Sequence, residues 1–280
     1  MNMTAIQNKI DFALIIGVNG ANPNGDPLNG NRPRQTVDGL GEISDVCVKR
    51  KIRNRIQDLG VDIFVKSDDR SDDGFKSLRE RANDVIKQFG KDREKFAEEA
   101  CAKWYDVRAF GQLFAMKGDG KDGLSVGIRG PVSIRPAFSV SPVNITSTQI
   151  TKSVNTETGD KKGSDTMGMK HRVDFGIYLL CGSINVQLAQ KTGFSDEDAE
   201  LLKTALSTLF ENDCSSARPD GSMDVIKMVW WKHNCASGQY SSAKVHSSVK
   251  IIPSCNQPHS AEDYEIKIED LDGLTKEIIL

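Results

Sequence analysis

The chain has 280 residues and 30.8 kDa, room for one large domain with insertions or two small ones at about 150 residues each. With 38% hydrophobic and 27% charged residues its composition is ordinary for a globular protein, which excludes collagen-like and disordered classes. A net charge of −2 does not announce a nucleic-acid binder, and the longest apolar run, residues 12–18, is far short of the roughly 18 residues of a spanning helix.

Ile10, Phe12, Leu14, Ile16 and Val18 alternate with Asp11, Ala13, Ile15 and Gly17, the period of two of a strand with one large-residue face. It runs into residues 19–34, dense in Asn, Gly and Pro, which predicts a long loop built from turns. Ser44 or Asp45 caps a helix to Leu59, with Val48, Ile52, Ile56 and Leu59 on one face and Gly60 just past its end. Residues 61–65 read as a short second strand, followed by an acidic turn at Asp68, Asp69, Asp72 and Asp73. A helical insertion over 66–125 follows. Apolar residues at spacings of three and four predict helices over 75–89 and 92–114, broken at Gly90, before a loop carrying Gly118, Gly120, Gly123 and Gly127.

Residues 126–143 read as a strand bent at Gly130-Pro131 and Arg135-Pro136. Residues 144–172 are too polar for a core and carry a turn at 158–163, the pattern of a protruding β-hairpin. A buried strand over 173–186 follows, then a helix over 195–210 capped by Ser195 with Asp196, Glu197 and Asp198 in its first turn. Residues 225–231 form another strand, and Tyr264, Ile266 and Ile268 alternate in a last one. No repeat or interdomain linker is present, so residues 1–280 are expected to form a single domain. Strand, helix, strand, repeated, is the order of a ferredoxin-like α+β fold with insertions.

The six cysteines stand 54, 80, 33, 21 and 20 residues apart, so no C-x-x-C pair seeds a zinc site, and none of the four histidines forms an H-E-x-x-H pair. No metal or other cofactor is expected. Reduced thiols and the polar start Met1-Asn2-Met3-Thr4 suit a cytoplasmic protein with no membrane partner. The glycines of residues 20–25 have P-loop spacing, but Asp26-Pro27 stands where a phosphate site needs Lys and Ser or Thr. Residues 119–123 echo a calcium loop without its carboxylates and read as a turn.

Charge is distributed unevenly. Residues 28–59 hold seven basic and four acidic residues, whereas residues 256–280 hold two lysines against seven acids, a pattern that suggests a localised basic groove for an anion and an acidic surface free to meet something basic. On the first helix Lys49 and Arg53 stack on one flank of the apolar face and Lys51 and Arg55 on the other. Such a flank either grips a nucleic-acid backbone or lays its basic stems over the core edge.

Residues 22–34, Asn-Pro-Asn-Gly-Asp-Pro-Leu-Asn-Gly-Asn-Arg-Pro-Arg, followed by residues 41–55 with Ile43-Ser44 opening the basic helix, closely resemble the backbone subunit of the type I-C CRISPR surveillance complex, Cascade. Looser resemblance runs through residues 106–111 and 167–174. The resemblance implies an RRM-like palm, a helical insertion and a thumb hairpin over 144–172. It also implies several copies lined up along one CRISPR RNA in the prokaryotic cytoplasm, holding it for pairing with target DNA. Other Cascade subunits and a recruited helicase-nuclease are the further implied partners. An ordinary RNA-recognition motif reads bases from sheet aromatics, but its signature string is absent here, so contact is expected mainly with the RNA backbone.

The RNA-binding candidates are Arg32 and Arg34 in the loop, Lys49, Arg50 and Arg53 on the helix, Lys161 and Lys162 at the hairpin tip, and Met167, Met169, His171 and Arg172 near its base. The methionines either wedge beside a displaced base or pack in the core. Related subunits of type III effectors cut target RNA with an aspartate in the loop after the first strand, where Asp26 and Asp38 lie. Asp26, between Gly25 and Pro27, reads as a turn-former, and no second carboxylate at fixed spacing suggests a paired-metal site. A non-enzymatic binder is the expectation, with the metal-dependent ribonuclease as its alternative.

Overall fold

The computed structural model describes residues 4–89, 92–116, 124–151 and 167–280. The Gly90 break, the calcium-like turn at 119–123, the hairpin turn at 158–163 and Lys161 and Lys162 lie outside the described residues.

The first strand, β1 (Ile10–Ala21), is followed after the loop by β2 (Leu40–Ile43) and helix α1 (Asp45–Asp58). Ser44 caps α1 through its side chain, and Val48, Ile52 and Ile56 bury the predicted apolar face. Leu59 is not part of that face; it is the C-cap and is 36% exposed. The insertion holds α2 (Leu78–Phe89), α3 (Arg93–Lys103), α4 (Tyr105–Phe110) and a ribbon of β3 (Gly111–Met116) on β4 (Leu124–Arg129). Thus the helix expected over 92–114 ends early. Gly111 sits at φ 79°, and a Cβ there would strike the Gly130 and Ile128 backbone, so the chain turns at a position only glycine fits.

Next come β5 (Val132–Ile134), β6 (Ala137–Pro142), β7 (Ile145–Thr151) and the long β8 (Met167–Ile184). Gly130-Pro131 and Arg135-Pro136 therefore break the expected single strand into separate pieces. An unforeseen short helix, α5 (Val186–Thr192), precedes α6 (Asp196–Ser207), whose Ser195 and Asp198 form a capping box. The chain closes with β9 (Met223–Lys232), α7 (Ser242–Ser247), β10 (Val249–Pro253), β11 (Tyr264–Ile268) and β12 (Thr275–Ile279).

The main sheet is antiparallel in the order β12-β9-β1-β8-β6-β2, with β5 and β7 also paired to β8. Two expectations fail here. Residues 61–65 form no strand, because the N–H groups of Phe64 and Val65 donate to the Asp106 carboxylate at 2.6 and 3.1 Å instead of to a ladder. The place beside β8 that a second strand would take is filled by β5 and β6, from beyond the insertion. The strand holding Tyr264, Ile266 and Ile268 is not the last and lies outside the main sheet. It pairs with β10, while β12 completes the sheet edge against β9.

Both faces of the sheet are covered. Ile10, Phe12, Leu14, Ile16 and Val18 of β1 pack with α1, α5 and α6, whereas Ala13 and Ile15 pack on the other side with Val245 of α7, Val249 of β10 and Tyr264 of β11. A third core lies in the insertion, where Phe64, Trp104 and Phe114 meet with ring centroids 4.8 and 5.0 Å apart.

Candidate nucleic-acid interface

The loop after β1 is held from three sides. The Asn24 side chain accepts from the Ser44 backbone N–H and hydroxyl at 2.9 and 2.8 Å, tying the loop to the start of α1. The Asn22 N–H donates to Ala217 O at 2.8 Å, which joins the loop to the turn before β9. Arg32 Nη1 donates to Ser147 Oγ of β7 at 2.9 Å, and His171 Nδ1 of β8 meets that same oxygen at 2.8 Å. Ser147 and His171 face each other in the β7–β8 register, so an arginine from the loop closes onto a cross-strand pair.

These contacts frame a cleft of about 280 Å³ between the loop, the β7–β8 arm and the turn at 216–217. Asn31, Ile150, Met169, Lys170, His171 and Ser216 line it, together with Gly30, Asn22 and Ala217, and no carboxylate is among them. Met167 and Met169 are 61% and 54% exposed and Ile150 49%, which overturns core packing for the methionines and leaves an apolar strip beside cations. Leu28 on the loop is also fully exposed. The arrangement offers cations for phosphate, amides for sugar oxygens and thioethers for a base face.

The remaining candidates are placed as follows. Arg34 stands 3.6 Å from Asp26, and Lys49 pairs with Asp45 one turn earlier at 3.0 Å. Arg172 lies 3.8 Å from Asp174. Arg50 Nη1 donates to Val65 O at 2.8 Å, and Arg53 donates to Asp106 at 2.8 Å while stacking over the Phe110 ring, so both face the insertion and not the cleft. On the opposite flank Lys51 is buried against Asp213, which also binds Arg218 at 3.0 Å; burial pulls the Lys51 ammonium below its ordinary range. Arg55 pairs with Glu211. For that flank the geometry is that of stems lying over the core edge.

Asp26 caps the 3-10 turn Pro27–Asn29 by accepting from the Leu28 N–H. Asp38 is exposed in the turn closed by Gly39 N–H on Thr36 O. Among the described residues no group of three or more His, Cys, Asp or Glu is placed to hold a metal ion, and no helix is long and apolar enough to cross a membrane.

Sequence reasoning missed Lys170, Ile150 and Ser147, which the arm brings to the cleft, and Asn22, which carries the junction to the 217 turn. The placing of Met167, Met169 and Val173 at alternate positions held a signal for one strand of the arm, but nothing local pointed to the turn at 216–217.

Residues 8–269 match the family described as CRISPR-associated protein Cas7. A curated relative, a CRISPR-associated protein Cas7 of Haloferax volcanii, is 29% identical over 229 residues, which cover 75% of this chain and 66% of the relative. The chain thus spans just under two thirds of that relative's length. Among solved structures, a chain titled as a pre-nicking CRISPR RNA-guided surveillance complex is 17% identical, with a TM-score of 0.48 over 80% of this chain and 75% of that one. A second surveillance-complex chain is 16% identical, with a TM-score of 0.39 over 80% and 68%.

Proposed function

The chain belongs to the CRISPR-associated protein Cas7 family, and on that premise we propose that it is a non-enzymatic backbone subunit that binds CRISPR RNA. Copies of it line up along one guide and present the guide for pairing with target DNA in antiviral defence. The motifs at 22–34 and 43–53 support placing it in a type I-C Cascade, with other subunits and a recruited helicase-nuclease as partners in the prokaryotic cytoplasm. An RRM-like palm is supported by the strand order β9-β1-β8-β6 with α1 and α6 packed on one face. The β7–β8 arm is the proposed thumb, carrying Lys161 and Lys162 beyond the described strands.

The observation that carries this reading is the meeting of Lys170 and His171 in one carboxylate-free cleft edged by exposed Met169 and Ile150, with Arg32 of the loop held on Ser147 beside His171. A guide carrier must hold phosphates and leave base edges free, and cations with thioethers fit that demand. Arg34, Lys49 and Arg172 extend the cationic track, while Arg50 and Arg53, turned to the insertion, stand outside it.

Arg32→Ala with Lys170→Ala is expected to weaken binding equally for two RNAs of unrelated sequence. It should also lower the slope of log affinity against log salt by about 0.7 per lost contact. Fluorescence anisotropy across a salt series reads both quantities. An unchanged slope in the double variant removes the cleft from the RNA path.

A further inference from the structure

We propose a second nucleic-acid site, on the opposite face of the sheet: the cleft between β6, β8, α7 and β10 binds a nucleotide of a single strand. In this site Phe138 stacks on the base, and Arg135 and Lys250 hold the phosphate. The cleft measures about 460 Å³, within the range of roughly 300–1,000 Å³ usual for small-ligand sites. Its walls come from three stretches distant in sequence, and no carboxylate is among its lining residues.

One wall is apolar, formed by Leu179, Val140 and Val249. Phe138 projects beside it with 37% of its surface open, although its strand neighbours Ala137 and Ser139 are buried. An exposed ring in mid-strand is a stacking platform without an occupant among the described residues. Arg135 follows β5, its N–H fastened to Cys181 O at 2.9 Å, so the backbone that carries the guanidinium is rigid. Lys250 enters from β10, across the cleft. Both cations are exposed, and among the described residues neither has a carboxylate partner.

The floor is fixed as well. His246 Nε2 donates to Gly182 O at 3.0 Å, and burial keeps the ring below its ordinary pKa, so the imidazole stays neutral. Burial pushes the Cys181 thiol up to about 11, with Arg135 pulling the other way. A π face, an apolar wall and two unpaired cations complement a base and its phosphate better than an acidic peptide, whose carboxylates would leave the ring and wall unused.

The site is independent of the loop-and-arm cleft, which lies at the far end of β1 and β8. Full-length protein, with and without a saturating guide-length RNA, is titrated with fluorescein-labelled oligothymidylate and cross-linked with ultraviolet light. Cross-links are expected in the peptides around Phe138 and Lys250 under both conditions. Phe138→Leu should weaken binding about tenfold and Phe138→Tyr should preserve it. Arg135→Ala with Lys250→Ala should lower the salt slope by about 0.7 per residue. All three side chains are at the surface, and an unchanged melting curve confirms that each variant folds. Oligothymidylate affinity indifferent to Phe138→Leu, or poly-glutamate displacing it with equal strength in parent and Phe138→Leu, overturns the proposal. Guide binding unchanged in the Arg32 and Lys170 variants, with these cross-links intact, would instead count against the loop-and-arm cleft alone.

Discussion

Asp106 joins the basic helix to the insertion through one carboxylate. It accepts from the N–H groups of Phe64 and Val65 and pairs with Arg53, and it is 1% exposed. Arg53→Ala strips this buried acid of its cation. The variant is expected to lose about 1.5–3 kcal/mol of stability, read as a lower urea midpoint. Lys49→Ala removes only a surface pair with Asp45 and should leave the midpoint within about 0.5 kcal/mol of the parent. His246 gives a pH signature. Burial depresses its pKa below 6.5, with Asp11 opposing and Arg135 and Lys9 adding to the depression. A depressed base means the unfolded chain takes the proton first. The stability that neutral His246 contributes is therefore complete above about pH 6.5 and lost as pH falls through that value toward the folded one. Urea midpoints measured from about pH 7.5 down to 5.5 should decline, and His246→Gln should flatten that decline. A parent midpoint that is level across this window contradicts the burial argument.

Among the elements, α4 is a clamp between the insertion and α6. Arg108 makes a two-point contact with Asp198 of α6 at 2.8 and 2.7 Å and also donates to Cys101 O. Tyr105 donates to Asp198 O at 2.9 Å. Arg108→Ala leaves a buried carboxylate without its cation and should cost about 3–5 kcal/mol. Hydrogen exchange is expected to rise in α3, α4 and the start of α6 together; a rise confined to α4 would mean that the insertion is not braced this way. Sequence reading was reliable where an element carries its own period and caps, as in β1, α1 with Ser44, and α6 with its Ser195 box. It failed at 61–65, where a short apolar run meets the strand template but its amides are taken by Asp106, some forty residues on. At α1 the sequence left open whether the basic flanks grip a backbone or lie over the core edge. The partners Asp106, Glu211 and Asp213 that absorb Arg53, Arg55 and Lys51 come from distant segments that no local pattern reveals.

At the scale of the molecule, a two-faced sheet carries cationic surface at the loop-and-arm end, where an arm projects beyond the core and presents Met167, Met169 and Ile150 to the outside. Under the proposed function, contact with RNA and with a neighbouring copy would account for both the cations and the strip. Binding along a strand would then be stepwise, each added length of RNA admitting one more copy. Mass photometry of the full chain on unstructured RNAs of graded length tests this directly. The account predicts complexes that grow in increments of one 30.8 kDa subunit as the RNA lengthens, at a fixed number of nucleotides per copy. A single bound copy at every RNA length, or no complex with RNA at all, would contradict it.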